Sequence, residues 1–219
     1  MTPDILAELN RRRAAREAVA VVSDLESGAQ SLVGQGEDHT HSEALAARFR
    51  SGQSGMLDQT TFARLHMPSA RLVIIGAVHI SQALYPMAQS CGLDVTIIDP
   101  RSAFATPERF AGVECLAEWP TEVLAERPLD RWTALAALTH DPKIDDDALV
   151  AALEAQCFYV GALGSRKTNA KRAARLKERG VSEASLERIC APIGLDIGAA
   201  GPAEIAVAVL AQIIEAQRT

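Results

Sequence analysis

The chain has 219 residues and a formal net charge of −6, with 48% hydrophobic and 4% aromatic residues. That length supports a sizeable core in one large domain or two small ones, and the acidic balance argues against a protein that wraps nucleic acid over its whole surface. Four widely spaced cysteines without a Cys-x-x-Cys pair point to free, buried thiols in a reducing cytoplasm and away from a zinc site; no export signal opens the chain, and no apolar run is long enough to span a membrane.

Residues 4–17 carry Ile5, Leu6 and Leu9 at helical spacing, and the apolar run 18–22 and the segment 30–33, separated by the turn residues Glu26-Ser27-Gly28, predict a hairpin. Residues 34–60 are polar, with one predicted helix at 42–50. Residues 1–66 therefore read as a small N-terminal α+β module. From Arg71 onward short apolar runs alternate with helical stretches, as in βαβ units around a parallel sheet covered on both faces. Strands are predicted at 72–75, 95–98, 134–138 and 158–160, with a weaker one near Val113; helices are predicted at 80–90, 121–126, 145–154 and 167–179, and a last one from Pro202. Pro86 lies inside the first of these helices and predicts a kink or an early end. The apolar run from Ile205 to Ile214 predicts a helix buried against the sheet. The fold class is α/β, a Rossmann-like parallel sheet with flanking helices over 67–219, preceded by the small module.

The stretch Val73 to Ser81, VIIGAVHIS, has the form of the first strand and turn of a dinucleotide-binding fold. Gly76 stands where the tight turn is made, Ser81 is small enough for close helix packing, and Asp99 follows at roughly the 20-residue distance expected of a ribose-binding acid. Val78 departs from the pattern, because a branched side chain stands where bare backbone should approach a pyrophosphate, and this disfavours NAD(P). Arg101, just after Asp99, could meet a phosphate or form a surface ion pair.

His140 and Asp141 follow the predicted strand 134–138 at its carboxyl end, where open α/β sheets bind ligands. The pair could transfer a proton, orient a ligand or brace its loop. Gly161, Gly164, Ser165, Arg166 and Lys167 make a Gly-rich turn into a helix; Ser165 is a natural N-cap, and free amides reinforced by two cations would hold an anion. That helix is strongly basic, and its outer half could be a solvated face or a docking surface for a partner protein. Pro192, Gly194, Asp196 and Gly198 lie in a long apolar loop that leads to Glu204 at a helix start, with the two glycines permitting close approach to a ligand.

Three of these runs, THDPKIDDDAL, YVGALGSRKTNAKRAARLKERG and APIGLDIGAAGPAEIAVAVLAQI, resemble in order and spacing the XdhC/CoxI family. The resemblance covers roughly 62–214 and implies a Rossmann-like protein that binds molybdenum cofactor (molybdopterin) and assists its insertion into a xanthine dehydrogenase-type molybdenum hydroxylase. It implies a cofactor-binding chaperone in preference to an enzyme with its own turnover, with that hydroxylase as partner and a cofactor sulfurase and a homodimer left open. The family's pattern falls on Gly76, His79, Asp99, Arg101, His140, Asp141, Gly161, Gly164, Ser165, Arg166, Pro192, Gly194, Asp196, Gly198 and Glu204. Two features depart from it: Val78 replaces a glycine, and no cysteine precedes Cys91. The alternatives are an NAD(P)-dependent oxidoreductase, or a scaffold that contacts the hydroxylase through the basic helix.

Overall fold

In a computed structural model that describes residues 1–218, the chain divides into two compact units, Met1–Pro68 and Ser69–Thr219. The first contains helix α1 (Pro3–Ala14), strands β1 (Val19–Asp24) and β2 (Gln30–Gly34), helix α2 (Ser42–Ser51), and strands β3 (Gly55–Met56) and β4 (Thr61–His66). Its sheet is antiparallel in the order β2-β1-β4-β3, and its core gathers Leu9 of α1 with Val19 and Val21 of β1. The predicted hairpin is β1 and β2. Strand β4 went unread in the sequence: Arg64 and His66 interrupt its apolar side chains.

The second unit runs β5 (Arg71–Ile75), α3 (His79–Ser90), β6 (Asp94–Ile98), β7 (Glu114–Leu116), α4 (Pro120–Glu126), β8 (Thr133–Ala137), α5 (Pro142–Glu154), β9 (Tyr159–Ala162), α6 (Arg166–Glu178), α7 (Glu183–Glu187), β10 (Ile189–Cys190) and α8 (Pro202–Arg218). Six parallel strands lie in the order β10-β9-β8-β5-β6-β7. The sheet has the doubly wound form of a Rossmann fold, whose switch point lies between β5 and β8. Alternate residues serve opposite faces. Leu72, Ile74, Ala134 and Ala136 pack with Leu84 of α3 and Val209 and Ile213 of α8, while Val73, Ile75, Leu135 and Ala137 pack with Ala148, Leu149 and Ala152 of α5.

Some expectations need correction. Helix α3 continues through Pro86 to Ser90 and is not cut short. The loss of one donor is tolerated because Leu84 and Ala88 on either side are fully buried and hold the helix by packing. Helix α8 is not covered all round, since Val207 is 48% exposed. Of the four cysteines, all unpaired, only Cys157 is buried; burial pushes its thiol up to about 12, whereas Cys91 is exposed. No helix among the described residues is long and apolar enough to cross a membrane.

Candidate functional site

The glycine turn after β5 is built as the sequence requires. Gly76 has φ +115°, and a Cβ there would stand 2.8 Å from Thr139 Cγ2, so the turns after β5 and β8 meet only because this side chain is absent. The Ser81 hydroxyl donates to the Gly76 carbonyl at 2.5 Å and ties the first turn of α3 to the loop.

Asp99, at the end of β6, does not face outward to a ribose. Its side chain is fully buried, and Oδ2 accepts the Ala77 amide at 2.7 Å. Arg101 donates from Nε to Oδ1 at 2.9 Å and from Nη2 to Oδ2 at 2.7 Å, and its amide adds a further bond to Oδ1 at 3.0 Å. Burial alone would raise this carboxyl, but the bonds from Arg101 and Ala77 outweigh it and hold the group below the usual carboxylate range. A carboxylate of the chain itself thus occupies an amide of the turn that would meet a pyrophosphate. Val78 is half-buried against the core at the N-cap of α3, and His79 beside it is exposed.

At the end of β8, Asp141 does not pair with His140. Its side chain is the N-cap of α5, accepting the Lys143 amide at 2.9 Å, with Pro142 at the first helical position. His140 has φ +64°, and its amide donates to Asp145 Oδ2 at 3.1 Å. Asp145 also accepts the Thr139 hydroxyl at 2.7 Å, yet burial dominates and raises its carboxyl to about 6. Desolvation, and then the charge of Arg172, hold the His140 imidazole below its ordinary value.

The turn from β9 to α6 divides two cavities. Gly161 is a packing glycine, since a Cβ there would stand 2.5 Å from the Tyr159 hydroxyl oxygen. Gly164 leads into Ser165, whose hydroxyl accepts the Thr168 amide at 3.2 Å and caps α6. On one side, a cavity of about 360 Å³ is lined by Leu163, Arg166, Pro192, Ile193, Gly194, Leu195, Asp196, Ile197, Ala199 and two residues of α8, Ile205 and Ala208. On the other, a cavity of about 300 Å³ lies between α5 and α6 and takes in His140, Asp145, Asp146, Lys167, Lys171, Arg172 and Arg175. The loop glycine Gly194 serves the helix more than an open approach: at φ +91°, a Cβ would come within 3.0 Å of Ala208 Cβ. Gly198 lies farther along the loop, and Glu204 closes it by accepting the Ala200 amide at 2.8 Å.

Of the residues singled out in the sequence, Arg166, Pro192, Gly194 and Asp196 therefore share one wall, His140 and Lys167 share the other cavity, and Gly76, His79, Asp99 and Arg101 belong to the closed turn after β5. Residues 72–213 match the XdhC Rossmann domain. The chain belongs to the XdhC family. It is 32% identical over 146 residues to the molybdenum cofactor insertion chaperone PaoD of Escherichia coli, a match covering 67% of this chain and 40% of that protein. It is 32% identical over 164 residues to a Bacillus subtilis protein named as a probable subunit of xanthine dehydrogenase, covering 74% of this chain and 48% of that one. A crystal structure of a xanthine dehydrogenase from Bacillus halodurans shares the fold, with a TM-score of 0.66 at 23% identity over 97% of this chain and 63% of that one. The chain spans less than half the length of these curated relatives.

Sequence reasoning missed the buried charges of this XdhC domain. Asp145, Asp146 and Arg172 are 1%, 5% and 2% exposed. Their signal was present: Arg172 precedes the fully buried Leu176 by four residues, so both lie on the inward stripe of α6. The basic helix is also less free than its sequence implies. Arg175 binds Asp146 through two bonds of 2.7 and 3.0 Å, Arg179 pairs with Asp147, and Lys177 with Glu183. No group of three or more His, Cys, Asp or Glu side chains that could hold a metal ion occurs among the described residues.

Proposed function

We propose that this XdhC-family chain binds molybdenum cofactor in the cavity between the β9–α6 turn and α8, and helps deliver it to a xanthine dehydrogenase-type hydroxylase. The observation that carries the reading is convergence. Leu163 and Arg166 come from one of the family-like runs, and Pro192 to Ala208 from another, and the fold gathers them around one opening. Similarity to a protein named as a molybdenum cofactor insertion chaperone supports the same reading.

The donor set fits such a ligand. Leu163, Ile193, Leu195 and Ile205 offer aliphatic surface for a flat ring, and Arg166 and Asp196 offer a cation and a carboxylate for its polar edges and anionic tail. About 360 Å³ is within the range of small-molecule sites. The bound group would supply the metal chemistry to its eventual host; this chain's residues hold the ring, shield it from water and release it. Binding without turnover needs no general acid or base. A dinucleotide is a poorer fit, because Asp99 occupies the Ala77 amide and a valine stands at position 78, where the dinucleotide pattern has glycine.

The test is to purify the protein anaerobically from cells that make the cofactor, oxidise it, and record pterin fluorescence. Wild type should carry pterin or take it up when added, and Arg166→Glu should carry several-fold less. A wild-type protein that neither carries nor takes up pterin rejects the proposal.

A further inference from the structure

We infer that the second cavity, between α5 and α6, is a separate binding site for a phosphate group, centred on Arg172. This residue is 2% exposed. Its Nη2 donates to the Leu163 carbonyl at 2.9 Å, which fixes it beneath the β9–α6 turn, while Nε and Nη1 have no hydrogen-bond partner among the described residues. Leaving the donors of a buried charge unmatched is costly, and a native interior seldom tolerates it without a ligand, ion or ordered water to complete the set. Arg172 lines a cavity of about 300 Å³. This cavity shares no lining residue with the proposed cofactor cavity, so the two sites are tested separately.

The remaining charges decide the sign of the ligand. Asp146 is matched by Arg175 through two hydrogen bonds, and Asp145 is turned toward the Thr139 hydroxyl and the His140 amide. The cations left facing the cavity are Arg172 and, one turn apart on α6, Lys167 and Lys171. A surplus of positive charge in a cleft selects an anion. Donors arriving from a buried guanidinium and two flexible ammonium groups suit a dianion with oxygens on several sides, which describes a phosphate better than a planar, singly charged carboxylate. The group could be the end of a larger phosphomonoester or free inorganic phosphate; the chemistry recognised is the same.

Calorimetric titration of the full chain with inorganic phosphate, phenyl phosphate and acetate at low ionic strength tests this. Phosphate should bind saturably and acetate should not. Phenyl phosphate binding more tightly than phosphate identifies the terminus of a larger ligand, whereas equal affinity identifies a free-phosphate site; either result supports the inference. Arg172→Met should weaken phosphate binding about tenfold or more. The double variant Lys167→Gln/Lys171→Gln changes exposed residues only, so it should fold as wild type, confirmed by its circular dichroism, and lose a similar factor. If Arg172→Met does not fold, the double variant decides. Wild type without saturable phosphate binding, a double variant that binds as tightly as wild type, or acetate binding as tightly as phosphate overturns the inference.

Discussion

Asp99 shows how one carboxylate can change the use of an inherited fold. The β5 turn keeps its glycine, its small Ser81 and its acid at the end of β6, yet the acid bends back and accepts the Ala77 amide. Two obstacles therefore stand before a dinucleotide, and only one of them is steric. Removing Val78 opens space but leaves the amide occupied by Asp99, which is itself locked by Arg101 through two side-chain bonds. Val78→Gly should accordingly remain silent to NAD(H) and NADP(H) in calorimetry. Micromolar affinity in that variant, about −8 kcal/mol, would show that the valine alone closes the turn and that the buried pair yields easily. The acid was legible in the sequence as part of a nucleotide fold; its direction was not, because an Asp at a strand end can turn outward to a ribose or inward to a backbone amide with the same spacing.

At the scale of elements, the first turn of α5 governs how pH acts on the region. Asp145 sits there almost wholly buried, and burial raises its carboxyl from 3.8 to about 6. An acid whose folded value is raised favours the fold when protonated, so its contribution is complete below about pH 4 and is lost as pH rises through about 6. The difference of roughly two units corresponds to about 3 kcal/mol. Urea unfolding of wild type and Asp145→Asn at pH 4.5 and 7.5 isolates this effect, since the oppositely directed Asp99 is common to both. The stability of wild type relative to the variant should fall by about 2 kcal/mol between those pH values, the first part of the loss being already complete at pH 4.5. An unchanged difference would mean that the bonds from Thr139 and His140 match the buried charge in full. The same turn shows what went unread in the sequence. Asp141-Pro142 is a helix start, with an N-cap acid followed by a proline whose missing donor costs nothing, yet in the sequence the acid was grouped with His140 as a candidate pair. The helix begins three residues before the predicted Asp145 because Ile144 packs into the core while the residues around it are charged. Helix α7 and strand β10 are too short, at 5 and 2 residues, to show a period.

For the whole molecule, the question is which part of the chain can stand as a folding unit. The match to the XdhC Rossmann domain spans 72–213, entirely inside the second unit, Ser69–Thr219. Its central strand β5 is covered on one face by α3 and α8 and on the other by α5, so the core contacts that define the parallel sheet are made within that unit. A chain of this size buries enough of its surface for independent stability, whereas the first unit, at 68 residues, is near the size at which a single core becomes marginal. We therefore expect a fragment of residues 69–219 to fold alone. Both tryptophans, Trp119 and Trp132, lie within it and report on its folding, while far-ultraviolet circular dichroism follows its helices. The two signals should give one coincident, cooperative urea transition, as a two-state domain does. Separate midpoints, or a broad transition with no folded baseline, would place part of the core's support in residues before Ser69 and redraw the boundary of the domain that carries both cavities.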